Sequence, residues 1–272
     1  GQHLGQRFVI ENVAGAGGST AMTRAARAPN DGYTVIIGNS GTATAVYALY
    51  PDLKFTPDDF APVGIVAKTS PVIALKKDHQ AKTLKDFIDY AKKNPGKATL
   101  GHAGVGSASH LCALNLMDRL GLQMEGVSYR GTGPAMNDLI GGQFDVMCDQ
   151  TTGTTNQIKD GKIKGYAVTT KFKVSSLPEL PTLDSGAIPG FEVSAWHAMW
   201  APKGVPKDAS DKLVSALQVA LKDPKVVDRF ASLGTEPVAQ ALATPDALKT
   251  QLVAEVQKWG AVIKAAGVKG GN

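Results

Sequence analysis

The sequence has 272 residues, of which 43% are hydrophobic and 19% charged, an ordinary balance for a globular protein with a substantial core. The net charge of +5 comes from scattered Lys and Arg residues, and the lack of a basic block argues against a nucleic-acid partner. No run of 18 apolar residues occurs, so the sequence predicts no membrane-spanning helix.

The first part of the chain predicts an alternation of strands and helices. A strand over Phe8–Asn12 is followed by a glycine-rich loop and a helix over Ser19–Ala28. The apolar run Tyr33–Gly38 is typical of a central strand in a parallel sheet. Further strands are predicted over Phe60–Lys68 and Val72–Lys76.

The alternation continues to the end of the chain and predicts the fold class. The remaining predicted helices cover Thr83–Asn94, Ser107–Leu120, Gly133–Ile140, Asn156–Asp160, Lys207–Lys222, Pro224–Leu233 and Pro245–Ala266. The remaining predicted strands cover Gly126–Tyr129, Phe144–Cys148, Ile163–Thr169 and Glu192–Ala201. This order predicts an α/β protein of two lobes, each a mainly parallel sheet flanked by helices. The expected lobes are residues 1–98 plus 199–272 and residues 99–198.

The most informative motif is the glycine-rich run between His102 and His110. Gly104 and Gly106 allow the backbone to come close to a ligand, and Ser107 is a good helix cap. The N–H groups of the helical turn that follows form a site for an anion. The run therefore predicts that the protein binds a carboxylate rather than transforming one.

Polar loops also follow other predicted strands, at the edge of the sheet where α/β proteins bind ligands. Ser40 and Thr42 follow one strand, Tyr129 ends a second, and Asp149 and Gln150 follow a third. Each loop by itself is more typical of an ordinary helix cap than of a binding site. Several such loops in consecutive units favour a binding site.

Three features leave alternatives open. Trp196 either walls a ligand cleft or packs in a core. Cys112 and Cys148 are compatible with one disulfide in an oxidising compartment or with two buried free thiols. No cluster of Cys or His predicts a metal, and the loop Gly15–Ser19 lacks the pattern of a nucleotide site, so we expect no cofactor.

An ordered set of short segments carries a resemblance to a known family. The segments are Val9–Asn12, Ala14–Gly18, Pro29–Thr34, Asn94–Lys97, His102–His110, Tyr129–Ala135, Gly141–Gln143, Leu180–Leu183 and Ala201–Pro206. Together they resemble the substrate-binding proteins of tripartite tricarboxylate transporters, also called the Bug family, over the whole sequence.

The resemblance implies a monomeric, periplasmic, two-lobed binding protein of the type II class. Such a protein captures a small di-, tricarboxylic or aromatic acid between its lobes and delivers it to membrane transporter subunits; it is not an enzyme. We expect five residues, in the two loops that match the family's carboxylate loops, to bind carboxylate oxygens: Ser40, Thr42, Gly104, Gly106 and Ser107. We expect Asp149 and Gln150 to select the rest of the ligand, and His102, Tyr129 and Trp196 to shape the cleft. Export to the periplasm also implies a disulfide between Cys112 and Cys148.

One departure from the family and two rival functions remain. Gly1–Gln6 resembles the end of a helix, so we expect a strand, a helix and an export signal upstream. The resemblance implies that this upstream strand leads into a glycine-rich loop that also contacts the anion. A ligand sensor for a signalling receptor would share the whole fold. A hydrolase would need a catalytic set from Ser107, a histidine and Asp149.

Overall fold

The chain alternates strands and helices and builds two sheets. The computed structural model describes residues 1–50, 52–265, 267, 268 and 270. Its strands are β1 Ile36–Asn39, β2 Phe60–Thr69, β3 Pro71–Lys76, β4 Thr99–His102, β5 Glu125–Ser128, β6 Val146–Gln150, β7 Ile163–Val168, β8 Ala195–Pro202 and β9 Thr235–Pro237. Its helices are α1 Ser19–Ala26, α2 Val46–Leu49, α3 Leu84–Lys93, α4 Ala108–Leu120, α5 Thr132–Ile140, α6 Thr151–Lys159, α7 Lys207–Ala220, α8 Pro224–Ser232 and α9 Pro245–Ala265.

Most predicted elements occur close to their predicted bounds. The largest shift at a start is in α6, which begins at Thr151 rather than Asn156. The helix predicted to end at Ala266 is described as far as Ala265, and Ala266 lies outside the described residues. Among the helices of the described residues, none has the length and apolar character that a membrane span requires.

One compact unit contains the described parts of residues 1–68, 196–230 and 236–272. Its four-stranded sheet has the order β1-β8-β2-β9. Val63 of β2 and Trp200 of β8 share a core with Leu213 of α7 and Leu248 of α9. The C-terminal helices therefore pack with the first part of the chain.

The other compact unit contains residues 69–195 and 231–235. Its five-stranded sheet has the order β5-β4-β6-β3-β7, and its core includes Ile73, Phe87, Leu100 and Leu116. Residues 69–98, which we expected in the first lobe, belong to this unit because β3 lies between β6 and β7.

The five-stranded sheet is mixed rather than mainly parallel, and the four-stranded sheet contains an antiparallel pair. β4 runs parallel to β5 and β6, whereas β3 is antiparallel to both of its neighbours. β1 is antiparallel to β8 and lies at the edge of its sheet, so the prediction of a central parallel strand there was wrong. A short apolar run does not distinguish a central strand from an edge strand, and Ile37 is in fact 57% exposed.

Residues 8–12 do not form the strand that their composition predicts. Val9 and Ile10 are 87% and 82% exposed. A strand requires a neighbour that pairs with its N–H and C=O groups, and the described residues supply none for this segment. In the structure Glu11 instead forms an exposed ion pair with Arg24 of α1.

Candidate functional site

β4 packs closely against an aromatic ring just before the chain enters a loop. At Gly101, in β4, an added Cβ would lie only 2.2 Å from the ring of Phe144. Glycine is therefore required there, and the strand lies close against the aromatic ring. The chain then passes through residues 103–107, here called the glycine loop, and enters α4.

Local hydrogen bonds fix the glycine loop. Gly104 and Gly106 have φ values of 109° and 83°, in the left-handed region that favours glycine. Ala103 N–H donates to Ser109 Oγ at 2.9 Å, and Ser107 N–H donates to the Gly104 carbonyl at 3.0 Å. Ser107 Oγ accepts from His110 N–H at 3.2 Å, which is the predicted helix cap.

The first turn of α4 retains unused donors. The N–H groups of Ala108 and Ser109 have no acceptor among the described residues. Both residues are buried, with 7% and 3% of their surface exposed. Buried backbone donors are almost always paired, so this turn favours an acceptor from outside the chain.

Two buried histidines lie against the glycine loop. The ring centroids of His102 and His110 are 4.4 Å apart, and Gly106 N–H donates to His110 Nδ1 at 3.2 Å. Burial, together with the neighbouring His102, lowers the pKa of His110 to about 4, and burial also lowers the pKa of His102. His102 Nδ1 has no hydrogen-bond partner among the described residues. Both rings are therefore neutral at neutral pH.

The contacts of Ser107 differ from those of a hydrolase nucleophile. Its hydroxyl lies 3.0 Å from Ser109 Oγ and accepts the backbone N–H of His110. His110 Nδ1 is already occupied by Gly106 N–H. A nucleophile and base would need a side-chain hydrogen bond, and the described residues show none between a serine and either histidine. The described residues also hold no group of three or more side chains that would suit a metal ion.

Asp149 is a buried carboxyl on β6, next to β4 in the sheet. Burial raises its pKa to about 7, and hydrogen bonds from the Gln150 backbone and the Thr132 side chain oppose the rise. Gln150 Oε1 accepts from the Thr69 hydroxyl at 2.8 Å. Burial therefore favours the neutral form of Asp149, whereas its two hydrogen bonds favour the charged form.

A disulfide joins the helix after the glycine loop to the strand that carries Asp149. Cys112 of α4 and Cys148 of β6 are bonded, with 5.9 Å between their Cα atoms, the pairing expected from the family resemblance. Both cysteines are fully buried in the same core.

The backbone, hydroxyl and ring of Tyr129 all contact residues of the second unit. Its N–H donates to the His102 carbonyl at 3.0 Å, and its hydroxyl donates to Asp138 at 2.8 Å. Its ring packs on Phe144, with 5.7 Å between centroids. The backbone of Tyr129 thus adjoins the glycine loop, while its hydroxyl is already committed to Asp138.

In the first unit, Asn39 occupies the donors that we expected a carboxylate to use. Its Oδ1 accepts from Gly41 N–H at 3.0 Å and from Thr42 N–H at 3.1 Å. Thr42 Oγ1 accepts from Asn39 N–H and donates to the Asn39 carbonyl. Ser40 is buried, and its carbonyl accepts the Thr44 hydroxyl. Ligand contacts of Ser40 and Thr42 remain predictions; Asn39, absent from the predicted site, was recognisable as an Asn before a helical turn.

Trp196 lies in the core of the first unit. It is 2% exposed, and its ring centroid is 6.2 Å from that of Trp200. Its Nε1 has no hydrogen-bond partner among the described residues. Trp196 therefore packs in this core, and its role as a wall of the ligand cleft stays a prediction. The second unit brings Gly104, Gly106 and Ser107 together in the glycine loop, next to His102 at the end of β4 and the backbone of Tyr129.

Comparison with known proteins identifies the family. A family model described as tripartite tricarboxylate transporter family receptor matches residues 1–268. An Agrobacterium vitis protein, named for the TAR-I ttuE-ttuC' intergenic region, is 49% identical over 97% of this chain and 76% of its own length. The solved periplasmic binding protein BugD is 44% identical with a TM-score of 0.94, covering 98% of this chain and 89% of its own.

MatC from Rhodopseudomonas palustris, solved with bound malate, is 35% identical to this chain with a TM-score of 0.91. The match covers 96% of this chain and 90% of that one. These likenesses agree with the two sheets and the helices described above. The chain has the fold of periplasmic binding proteins and belongs to the tripartite tricarboxylate transporter receptor family, which includes the Bug proteins.

Proposed function

We propose that this protein is a periplasmic solute-binding receptor, without catalytic activity, that captures a small carboxylate and delivers it to membrane transporter subunits. The observation that carries the proposal is the pair of N–H groups of Ala108 and Ser109, two buried residues directly after the glycine loop, which have no acceptor among the described residues. They lie at the positive end of a 13-residue helix, where a carboxylate oxygen is stabilised by hydrogen bonds and by the helix dipole.

The ligand class follows from the donors around the loop. No Lys or Arg occurs between His102 and Leu111, so the loop suits a carboxylate held by neutral donors. Malate bound to a relative of 35% identity supports a dicarboxylic acid. The carboxyl of Asp149 donates a hydrogen bond when neutral and accepts one when charged, and we propose that it selects a hydroxyl or amine on the ligand.

Periplasmic localisation is supported by the family and by chemistry. The disulfide between Cys112 and Cys148 suits an oxidising compartment. Delivery to transporter subunits is proposed from the family alone. It is tested by binding of the ligand-loaded protein to membranes that contain those subunits; binding only to a signalling receptor would replace transport by sensing.

A thermal-shift screen tests carboxylate binding. The panel is malate, succinate, citrate, aspartate and benzoate at pH 7.5. A ligand that binds only the folded state stabilises it by about 2.7 kcal/mol at one hundred times its dissociation constant. A shift with one acid supports the proposal and gives the ligand class. No shift with any of the five acids contradicts it.

A matched pair of variants locates the site. Ser107→Ala removes the cap of α4, and Thr83→Ala removes the cap of α3, where Thr83 Oγ1 accepts Asp86 N–H at 3.1 Å. Each variant loses about 1 kcal/mol of stability. Only Ser107→Ala should weaken binding of the acid found in the screen, because only Ser107 belongs to the glycine loop. Equal weakening in both variants would contradict this location.

A further inference from the structure

We propose that His110 is the positioning residue of the glycine loop and that it holds the loop in its binding conformation only while its ring is neutral. The inference rests on the proposed function in that it treats this loop as the carboxylate site. It adds a pH-dependent device to that site.

His110 forms two hydrogen bonds with the glycine loop. Gly106 N–H donates to its Nδ1 at 3.2 Å, and its own N–H donates to Ser107 Oγ at 3.2 Å. A ring nitrogen accepts a hydrogen bond only when it carries no proton. The Gly106 bond therefore requires the tautomer of His110 that is protonated on Nε2, and a second proton on Nδ1 must break it.

The surroundings of His110 offer no compensation for a charge. Its ring faces His102 at 4.4 Å between centroids, so two charged rings would repel each other. α4 packs against β4 and β6. Besides His102, the titratable groups on these three elements are Asp118 and Arg119, more than two turns beyond His110 on α4, and Asp149 on β6, and Tyr129 follows β5. The Tyr129 hydroxyl is bound to Asp138, and burial of Asp149 favours its neutral form. The described residues give His110 no ion pair.

The direction of the pH effect follows from this geometry. Burial and the neighbouring His102 lower the pKa of His110 to about 4. The neutral ring thus persists at pH 7 and is lost as the pH falls through 4. The loop should keep the hydrogen bond from Gly106 N–H to His110 Nδ1 at neutral pH and lose it in acid.

Nuclear magnetic resonance of the ligand-free protein tests the device without any assumption about the ligand. The measured quantity is the hydrogen-exchange protection factor of the Gly106 amide between pH 7.5 and 4. We expect it to fall about tenfold in the wild type, as expected for loss of one hydrogen bond. In His110→Asn, whose amide oxygen accepts the same N–H and does not titrate, we expect no acid loss.

His79→Asn is the matched control. His79 is also a buried histidine of the second unit, and its Nδ1 accepts Ala81 N–H at 3.1 Å, away from the glycine loop. We expect Gly106 in His79→Asn to respond to acid as in the wild type. A pH-independent protection factor in the wild type, or the same acid loss in His110→Asn, would overturn the proposal.

Titration calorimetry with malate at pH 7.5 separates this inference from the proposed function. We expect His110→Ala to weaken malate binding about tenfold and His110→Asn to remain near the wild type. If malate does not bind but Gly106 responds as expected, the positioning role stands and malate as the ligand fails. If malate binds equally to all three proteins, the positioning role fails and carboxylate binding stands.

Discussion

Loss of the Cys112–Cys148 disulfide should destabilise the protein strongly. The two cysteines are 36 positions apart, and closing a loop of that length lowers the entropy of the unfolded chain by an amount equivalent to about 4 kcal/mol at 25 °C. Both side chains are fully buried, so the bond lies within the core and not on a loop. This contribution is between about a quarter and four fifths of a typical domain's stability of about 5–15 kcal/mol.

Urea unfolding of three samples measures this contribution: oxidised wild type, wild type reduced in denaturant and refolded with reductant, and Cys112→Ala/Cys148→Ala. The reduced protein and the double variant should each unfold about 4 kcal/mol more easily than the oxidised protein. The double variant controls for side effects of the reductant. A difference below about 1 kcal/mol, or two titratable thiols in the unreduced denatured protein, would refute the reasoning.

Three further predictions concern single residues. Gly101→Ala places a Cβ 2.2 Å from the Phe144 ring and should lower the free energy of unfolding by about 1–3 kcal/mol. Gly133→Ala is the control, because no neighbouring atom lies within 4 Å of its added Cβ. Equal effects of the two substitutions on urea unfolding would contradict the close packing at Gly101. The pKa of Asp149 is raised to about 7 from 3.8, so the folded protein binds this proton more tightly than the unfolded chain does. The stability of the wild type should therefore fall relative to that of Asp149→Asn as the pH rises from 4 to 7. Melting temperatures of the two proteins that change with pH in the same way would refute this. Asn39→Ala leaves Gly41 and Thr42 without their N–H acceptor and should reduce stability by about 1–2 kcal/mol, and an unchanged urea midpoint would argue against this cap.

Local features of the fold are readable from the sequence because short-range interactions determine them. Thr83 with Asp86 forms the capping box that begins α3, and Ser107 caps α4 as its position before the helix predicts. The predictions that were wrong concern contacts with distant parts of the chain. Residues 8–12 have the composition of a strand but no pairing neighbour among the described residues, and β3 pairs with β6 and β7 across long stretches of chain.

In the candidate site, too, the sequence predicts the local features but not the contacts made by individual side chains. The glycine spacing predicts the turn and its backbone donors at Ala108 and Ser109, because left-handed backbone angles and helix ends are local properties. Spacing does not predict that Asn39 occupies the amides of the loop after β1. It also does not predict that His110 accepts Gly106 N–H, since this contact depends on the ring's tautomer and burial.

The most direct test of carboxylate binding at the glycine loop is a nuclear magnetic resonance titration of the ¹⁵N-labelled protein with the acid found in the thermal-shift screen. The account predicts saturable binding, with the largest amide shifts at Ala108 and Ser109, whose N–H groups have no acceptor among the described residues. Saturable binding that leaves these two amides unmoved, or no saturable binding at all, would contradict it.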